Sequence, residues 1–221
     1  MKLKYIIGIY VIVFFSLLGM GLYSKASYKD FNKEEEPLNN FAVGLMTKDL
    51  IKAGIEKMEK ELAESNIILA VKCKEKTEFK YSCATQKVKI EKVFKGNDIN
   101  SGNEIEICTA TNIFMNKDMY VDGNPCINLD FVNEMQYGKK YLVFLDSKVK
   151  NSNIYIRPSQ FFIKPIFCYE EIENTPCKAV SKEQFSALYE NVSENEFFIT
   201  SQKGIELMEK YKKKLIKRYS Y

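Results

Sequence analysis

The chain has 221 residues, with 33 Lys and Arg against 29 Asp and Glu for a net charge of +4, and it contains neither histidine nor tryptophan. The missing histidine excludes Ser-His and Cys-His nucleophile activation and every imidazole-bound metal. The mild charge leaves the chain as a whole without a nucleic-acid footprint.

Lys2 and Lys4 precede an uncharged, mostly apolar run over residues 5–23. Its length approaches the ~20 residues that cross a hydrocarbon core as a helix and exceeds the ~7–15 of a signal-peptide apolar region. The run therefore predicts an N-terminal transmembrane segment over 1–23, in contact with the membrane through 5–23. The two leading lysines stay cytoplasmic and the rest of the chain passes outward. Ser24-Lys25-Ala26 places small residues three and one before a cut ahead of Ser27, so a secreted, released chain is the alternative. A soluble core helix would show one polar face, and this run shows none. No cysteine lies near the end of the run to carry a lipoprotein anchor. Anchored or released, residues 27–221 work outside the cytoplasm.

Residues 24–46 carry Glu34-Glu35-Glu36-Pro37 and Asn39-Asn40 without apolar periodicity and read as a polar tether. From 47 to 64, Ile51, Ile55, Met58 and Leu62 recur at helical spacing behind Thr47 as N-cap, which predicts an amphipathic helix. Residues 66–169 read as strands. An apolar run spans 67–71. Val88 and Ile90 alternate with lysines until Val93-Phe94 break the alternation, as a bulge does, and Gly96-Asn97-Asp98 supplies a turn. Ile105 and Ile107 alternate with Glu104 and Glu106. Residues 141–145 are apolar on both faces, as in a central strand. Ile154 and Ile156 alternate again, and 161–166 contains Pro165, which suits an edge. Five or so short strands predict a small β-barrel or sandwich, within a domain spanning 47–180. Residues 181–221 return to helix, from the capping-box pattern Ser181-Lys182-Glu183-Gln184 to a second helix beyond Thr200 with a basic tail.

The six cysteines, Cys73, Cys83, Cys108, Cys126, Cys168 and Cys177, make an even count in an exported domain and read as disulfides. Proximity pairs them as Cys73–Cys83, Cys108–Cys126 and Cys168–Cys177, although six cysteines allow 15 pairings. Metal binding and free or intermolecular thiols are the alternatives, but no Cys-x-x-Cys exists to start a metal site, and its absence also speaks against a thiol oxidoreductase.

The order of 67–71, then K-V-F-K-G over 92–96, then E-I-E-I over 104–107, then G-K-K-Y-L-V-F-L over 138–145 resembles bacterial exported domains of the tissue-inhibitor-of-metalloproteinase-like, netrin-module-like group. The resemblance covers residues 66–146 and implies an OB-fold barrel. Animal members chelate their target's zinc through an N-terminal cysteine. Neither Met1 nor Ser27 is a cysteine here, so the inhibitory chemistry does not carry over. The expected fold is α+β: a small five-stranded OB-like β-barrel stapled by disulfides, with flanking helices and the N-terminal transmembrane or signal helix.

Candidate chemistry is sparse. Ser147-Lys148-Val149-Lys150 matches S-x-x-K, but that mechanism puts the serine at the start of a helix with the lysine one turn on. Here the segment follows a strand and precedes Asn151-Ser152-Asn153, and neither S-D-N nor K-T-G accompanies it. The carboxylate pairs, Glu170-Glu171 and Glu34 with Glu36, read as solvated surface. The aromatic residues Phe161, Phe162, Phe167 and Tyr169 read as core. No catalytic, cofactor or metal residue is expected. Between Lys203 and Arg218 stand seven basic and two acidic residues. Lys210, Lys212, Lys213, Lys214, Lys217 and Arg218 are the candidates for contact with an anionic surface. A solvated last helical turn complementing the helix dipole would carry the same charges. The sequence thus reads as a non-enzymatic binding module of the cell envelope, meeting an envelope protein or anionic polymer. An envelope hydrolase using carboxylates or Ser147, and a structural or assembly component of the cell surface, are the alternatives.

Overall fold

A computed structural model describes residues 3–27, 30–80, 83–180 and 185–220 of the chain. The chain divides into two units, 1–35 and 36–221. The first contains helix α1 (Leu3–Ser27), followed by a short 3₁₀ turn over Phe31–Lys33 that Asp30 caps. From residue 8 to residue 23 every described side chain of α1 is exposed, and the apolar ones lie on all sides. Among the described residues no helix is long and apolar enough to cross a membrane. The expected membrane contact through 5–23 is corrected accordingly.

The second unit is a mixed arrangement of two sheets and two long helices. In the smaller sheet, β1 (Ala42–Gly44) lies between β12 (Ser186–Leu188) and β7 (Cys126–Ile127), and β6 (Ile113–Phe114) forms the far edge. The larger sheet contains β2 (Ile67–Cys73), β3 (Glu78–Lys80), β4 (Cys83–Lys95), β5 (Glu104–Ala110), β8 (Lys140–Leu145), β9 (Ser147–Lys148), β10 (Ile154–Ile156) and β11 (Ile166–Cys168). Its order is β11-β8-β2-β4-β5-β10-β9, with β3 paired to β4 outside that path. Pairing is antiparallel except between β5 and β10.

Alternation along the central strands separates two cores. Ile68, Leu142 and Phe144 face helices α2 (Lys48–Glu61) and α3 (Gln202–Arg218), where Ile51, Met58, Ile205, Met208 and Leu215 meet them. Leu69, Val71, Tyr141, Val143 and Leu145 face the other way, against Val88, Ile90, Ile105 and Ile107. This two-sided burial explains why 141–145 is apolar throughout. The β2–β4 ladder shifts register between Ile68 and Leu69 and again between Ala70 and Val71. The extra residues on β4 are Phe94 and Glu91, at the break in alternation that predicted a bulge.

Four expectations are corrected. The barrel is not closed: no ladder joins the terminal strands β11 and β9, and the strands form two open sheets. Asp146 alone separates β8 from β9, so one segment feeds both the interior and one edge of the larger sheet. The disulfides are absent, and all six cysteines are free thiols. Register explains the first pair: Cys73 lies opposite Val88, which leaves Cys83 five positions down β4. That is ~16 Å, against the ~7 Å a disulfide tolerates between Cα atoms. Cys108 and Cys126 belong to different sheets, their thiols donating to Ala110 O (3.4 Å) and Met119 O (3.0 Å) respectively. Cys168 is enclosed in the second core, whereas the Cys177 sulfur accepts from Asn195 Nδ2 at 3.2 Å. The expected tether ends early, since Leu38, Phe41, Ala42, Val43, Leu45 and Met46 are buried and β1 is an interior strand of the smaller sheet. Finally, Ser186–Leu188 is strand rather than helix. The capping-box residues 181–184 lie outside the described residues.

Candidate functional site

Helix α3 carries the densest charge. Ser201 caps it, its Oγ accepting from Gly204 N at 3.2 Å. Ile205, Met208, Tyr211 and Leu215 bury one stripe. Helical periodicity then turns Lys203, Glu206, Lys210, Lys213, Lys214, Lys217 and Arg218 outward, all exposed. Lys203, Lys210 and Lys217 recur every seven residues and form a row about 21 Å long. Among the described residues none of the three has an ion-pair partner, whereas Lys213 meets Glu171 at 3.4 Å and Lys214 meets Glu59 at 2.7 Å.

Of the six candidates for anionic contact, Lys212 faces inward. Its ammonium is buried, 2.5 Å from Glu196 Oε2 and 3.0 Å from Glu170 O. The other carboxylate oxygen of Glu196 accepts from Cys168 N at 2.7 Å, tying α3 to β11. Burial pushes the Glu196 carboxyl up to about 7, against the pull of Lys212. Lys203, which was not among the six, completes the outward row. Its seven-residue spacing to Lys210 is the signal that identifies it.

A second polar cluster lies inside the fold. Arg157 clasps Asp130 through Nη2 (2.6 Å) and Nε (2.8 Å) and donates to Phe161 O at 2.5 Å. Lys164, 0% exposed, donates to Thr109 O at 3.1 Å. Its pKa falls to about 8, mainly through burial, with Asp130 and Glu134 opposing the fall. Burial raises Glu134, and the Thr77 hydroxyl that donates to it counteracts the rise. Asp130 and Phe131 both adopt the left-handed backbone, φ 48° and 63°. The Gln86 side chain clamps Met135 by two bonds, Nε2 to O at 2.7 Å and N to Oε1 at 2.8 Å. These contacts hold the irregular segment 129–136 on the larger sheet. The cluster thus anchors that segment. The sequence concealed it because Lys164 sits in an apolar run next to Pro165.

The remaining candidates do not converge. Ser147 lies on a strand, its Oγ donating to Asp146 Oδ2 at 3.2 Å, and Lys150 is exposed in the following turn. The S-x-x-K pair therefore has no helical turn to bring it together. Glu170 and Glu171 are exposed, and Glu171 borders an open groove of about 390 Å³ with Gln136, Lys139, Glu173 and Glu194. Phe161 and Phe167 are buried, as core residues should be, and Phe162 is partly exposed. Among the described residues no group of three or more Cys, Asp or Glu could hold a metal ion. No protein-family model matches the chain, and no curated protein matches it.

Proposed function

We propose that the second unit is an extracytoplasmic binding module whose α3 face takes a linear anionic polymer of the cell envelope. The observation that carries this reading is the row Lys203, Lys210 and Lys217, exposed and without ion-pair partners among the described residues. The buried Lys212–Glu196 pair supports it by holding the opposite side of the helix rigid, so the cations present a fixed spacing to repeating negative charge. Export is proposed from the leader: Lys2 and Lys4, the apolar run, and Ser24 and Ala26 ahead of a cut before Ser27.

The test is binding of a poly(glycerol phosphate) chain to the protein and to the triple variant Lys203→Gln, Lys210→Gln, Lys217→Gln. Removing three surface cations should weaken binding ~100-fold at low salt, and the parent's affinity should fall steeply as salt is added. Equal binding by parent and variant, or binding indifferent to salt, would overturn the proposal. Recovery of the exported chain with Met1 intact would overturn the cleavage.

A further inference from the structure

The outward face of α3 is not uniformly polar. Among the described residues of the helix, Leu207 is the one large apolar side chain that is exposed, at 36%. Ile205, Met208, Tyr211 and Leu215 belong to the core between helices and sheet, and Ile216 packs against it, but Leu207 joins neither core. Single exposed leucines are common on protein surfaces, so what matters is where this one stands.

Helical phase sets that place. Lys203 lies four residues before Leu207 and Lys210 three residues after it. These are the two spacings that make side chains neighbours on a helix, about 5–6 Å apart at Cβ. Leu207 therefore stands beside the line that joins the first two cations of the row. Lys203 and Lys210 are about 10 Å apart along the axis, and both are exposed. Their aliphatic stems extend the apolar strip on either side of the leucine. Lys214, one heptad beyond Leu207, is held by Glu59 at 2.7 Å and adds no free charge there.

A chain that meets both ammoniums must pass Leu207 between them. If it is charged at every unit, as inorganic polyphosphate is, an anion comes to lie on the leucine, where it gives up water and gains no partner. If hydrocarbon separates its charges, phosphates reach the two lysines while CH₂ groups cover the leucine.

We propose that Leu207 is the specificity-determining residue of this face, selecting a polyol phosphate, with carbon between successive phosphates, over a polymer charged at every unit. This role rests on α3 being the polymer-binding face, and it narrows the ligand of that face to one class.

The test titrates poly(glycerol phosphate) and inorganic polyphosphate, matched in number of charges, into the parent, into Leu207→Gln and into the triple variant Lys203→Gln, Lys210→Gln, Lys217→Gln. Glutamine keeps the helix propensity, and the position is exposed, so the fold is retained. Leu207→Gln should weaken poly(glycerol phosphate) by about fourfold for each CH₂ that loses its cover, and polyphosphate not at all. Apolar contact is not screened, so the Leu207→Gln loss should persist as salt is added, whereas the loss from the lysine variant shrinks. Undiminished poly(glycerol phosphate) binding by Leu207→Gln, with the lysine variant weakened, would overturn the role of Leu207 and leave the cationic face standing. Equal weakening toward both polymers, or a loss that salt abolishes, would overturn it too. No binding of poly(glycerol phosphate) by the parent would overturn the face itself and the role of Leu207 with it.

Discussion

Lys164→Met probes the interior cluster through its dependence on pH. Lys164 is wholly enclosed, with Thr109 O accepting from its ammonium at 3.1 Å and Asp130, Glu134, Arg157 and Cys108 facing it. Burial lowers its pKa from 10.5 to about 8. Below about pH 8 the amine is protonated in folded and unfolded chains alike, and the whole penalty of burying the charge is in place, about 3 kcal/mol. Between about pH 8 and pH 10.5 the unfolded chain still holds a proton that the folded chain has released, so stability rises with pH. Integrated from about pH 7.5 to about pH 10, the recovery is about 2 kcal/mol. Methionine keeps the unbranched length and has no proton to lose. The wild type should therefore gain about 2 kcal/mol on the variant across that window. Comparing the two at each pH cancels the titrations that Lys164 does not influence, and Cys108, whose thiol burial pushes up to about 11, contributes only through its coupling to Lys164. Urea unfolding followed by far-ultraviolet circular dichroism measures the difference. A difference constant within about 0.5 kcal/mol over the window would refute the reasoning.

Lys212→Met leaves Glu196 buried and unpaired and should cost about 3–5 kcal/mol. Burial already raises the Glu196 carboxyl to about 7, so the loss should grow as pH rises through neutrality, where the folded state must ionise it. Adding Glu196→Gln keeps an acceptor for Cys168 N–H and should restore most of the stability in thermal melts. Ser201→Ala should destabilise by about 1 kcal/mol through the lost N-cap of α3. Thr47→Ala should cost less in the same assay, because its oxygen stands 3.5 Å from Leu50 N. Gly204→Ala should destabilise by about 1–2 kcal/mol despite alanine's helix propensity. Its Cβ would lie 2.7 Å from Ile51 Cδ1, 2.9 Å from Ile199 Cγ2 and 3.1 Å from the capping Ser201 Oγ. Urea midpoints order these variants.

The strands and helices most legible in the sequence are those whose burial follows a simple period. Thr47 and the Ile51, Ile55, Met58, Leu62 stripe give α2, and the apolar runs at 67–71 and 141–145 give β2 and β8. Pro165 precedes β11, a terminal strand of the larger sheet, where a missing N–H does least harm. The pairing of distant segments was not legible. β1 pairs with β12 across some 140 residues, Ala42 opposite Leu188, and three residues carry no periodicity to announce such a partner. The acidic and asparagine-rich residues 34–40 hid the buried run that follows them. At the α3 face, counting charge found the basic tail, but charge alone cannot separate Lys212 from Lys213. Only the helical phase set by Met208, Tyr211 and Leu215 turns Lys212 inward.

The cysteines and the leader were expected to support each other, and the structure separates them. An exported domain with six cysteines argues for disulfides only where the thiols can react. Cys73, Cys108, Cys168 and Cys177 are buried, and burial raises the pKa of each. For Cys73 and Cys108, at about 11, about one thiol in ten thousand is ionised at neutral pH, and the thiolate is the reactive form. Such side chains behave as small apolar core residues in an oxidising or a reducing compartment. Their reduced state therefore does not contradict export, and their even number no longer supports it. The proposal of export rests on Lys2, Lys4, the apolar run and the small residues Ser24 and Ala26 that follow it. The case for a binding face rests on α3, whose cations keep their spacing wherever the chain is delivered.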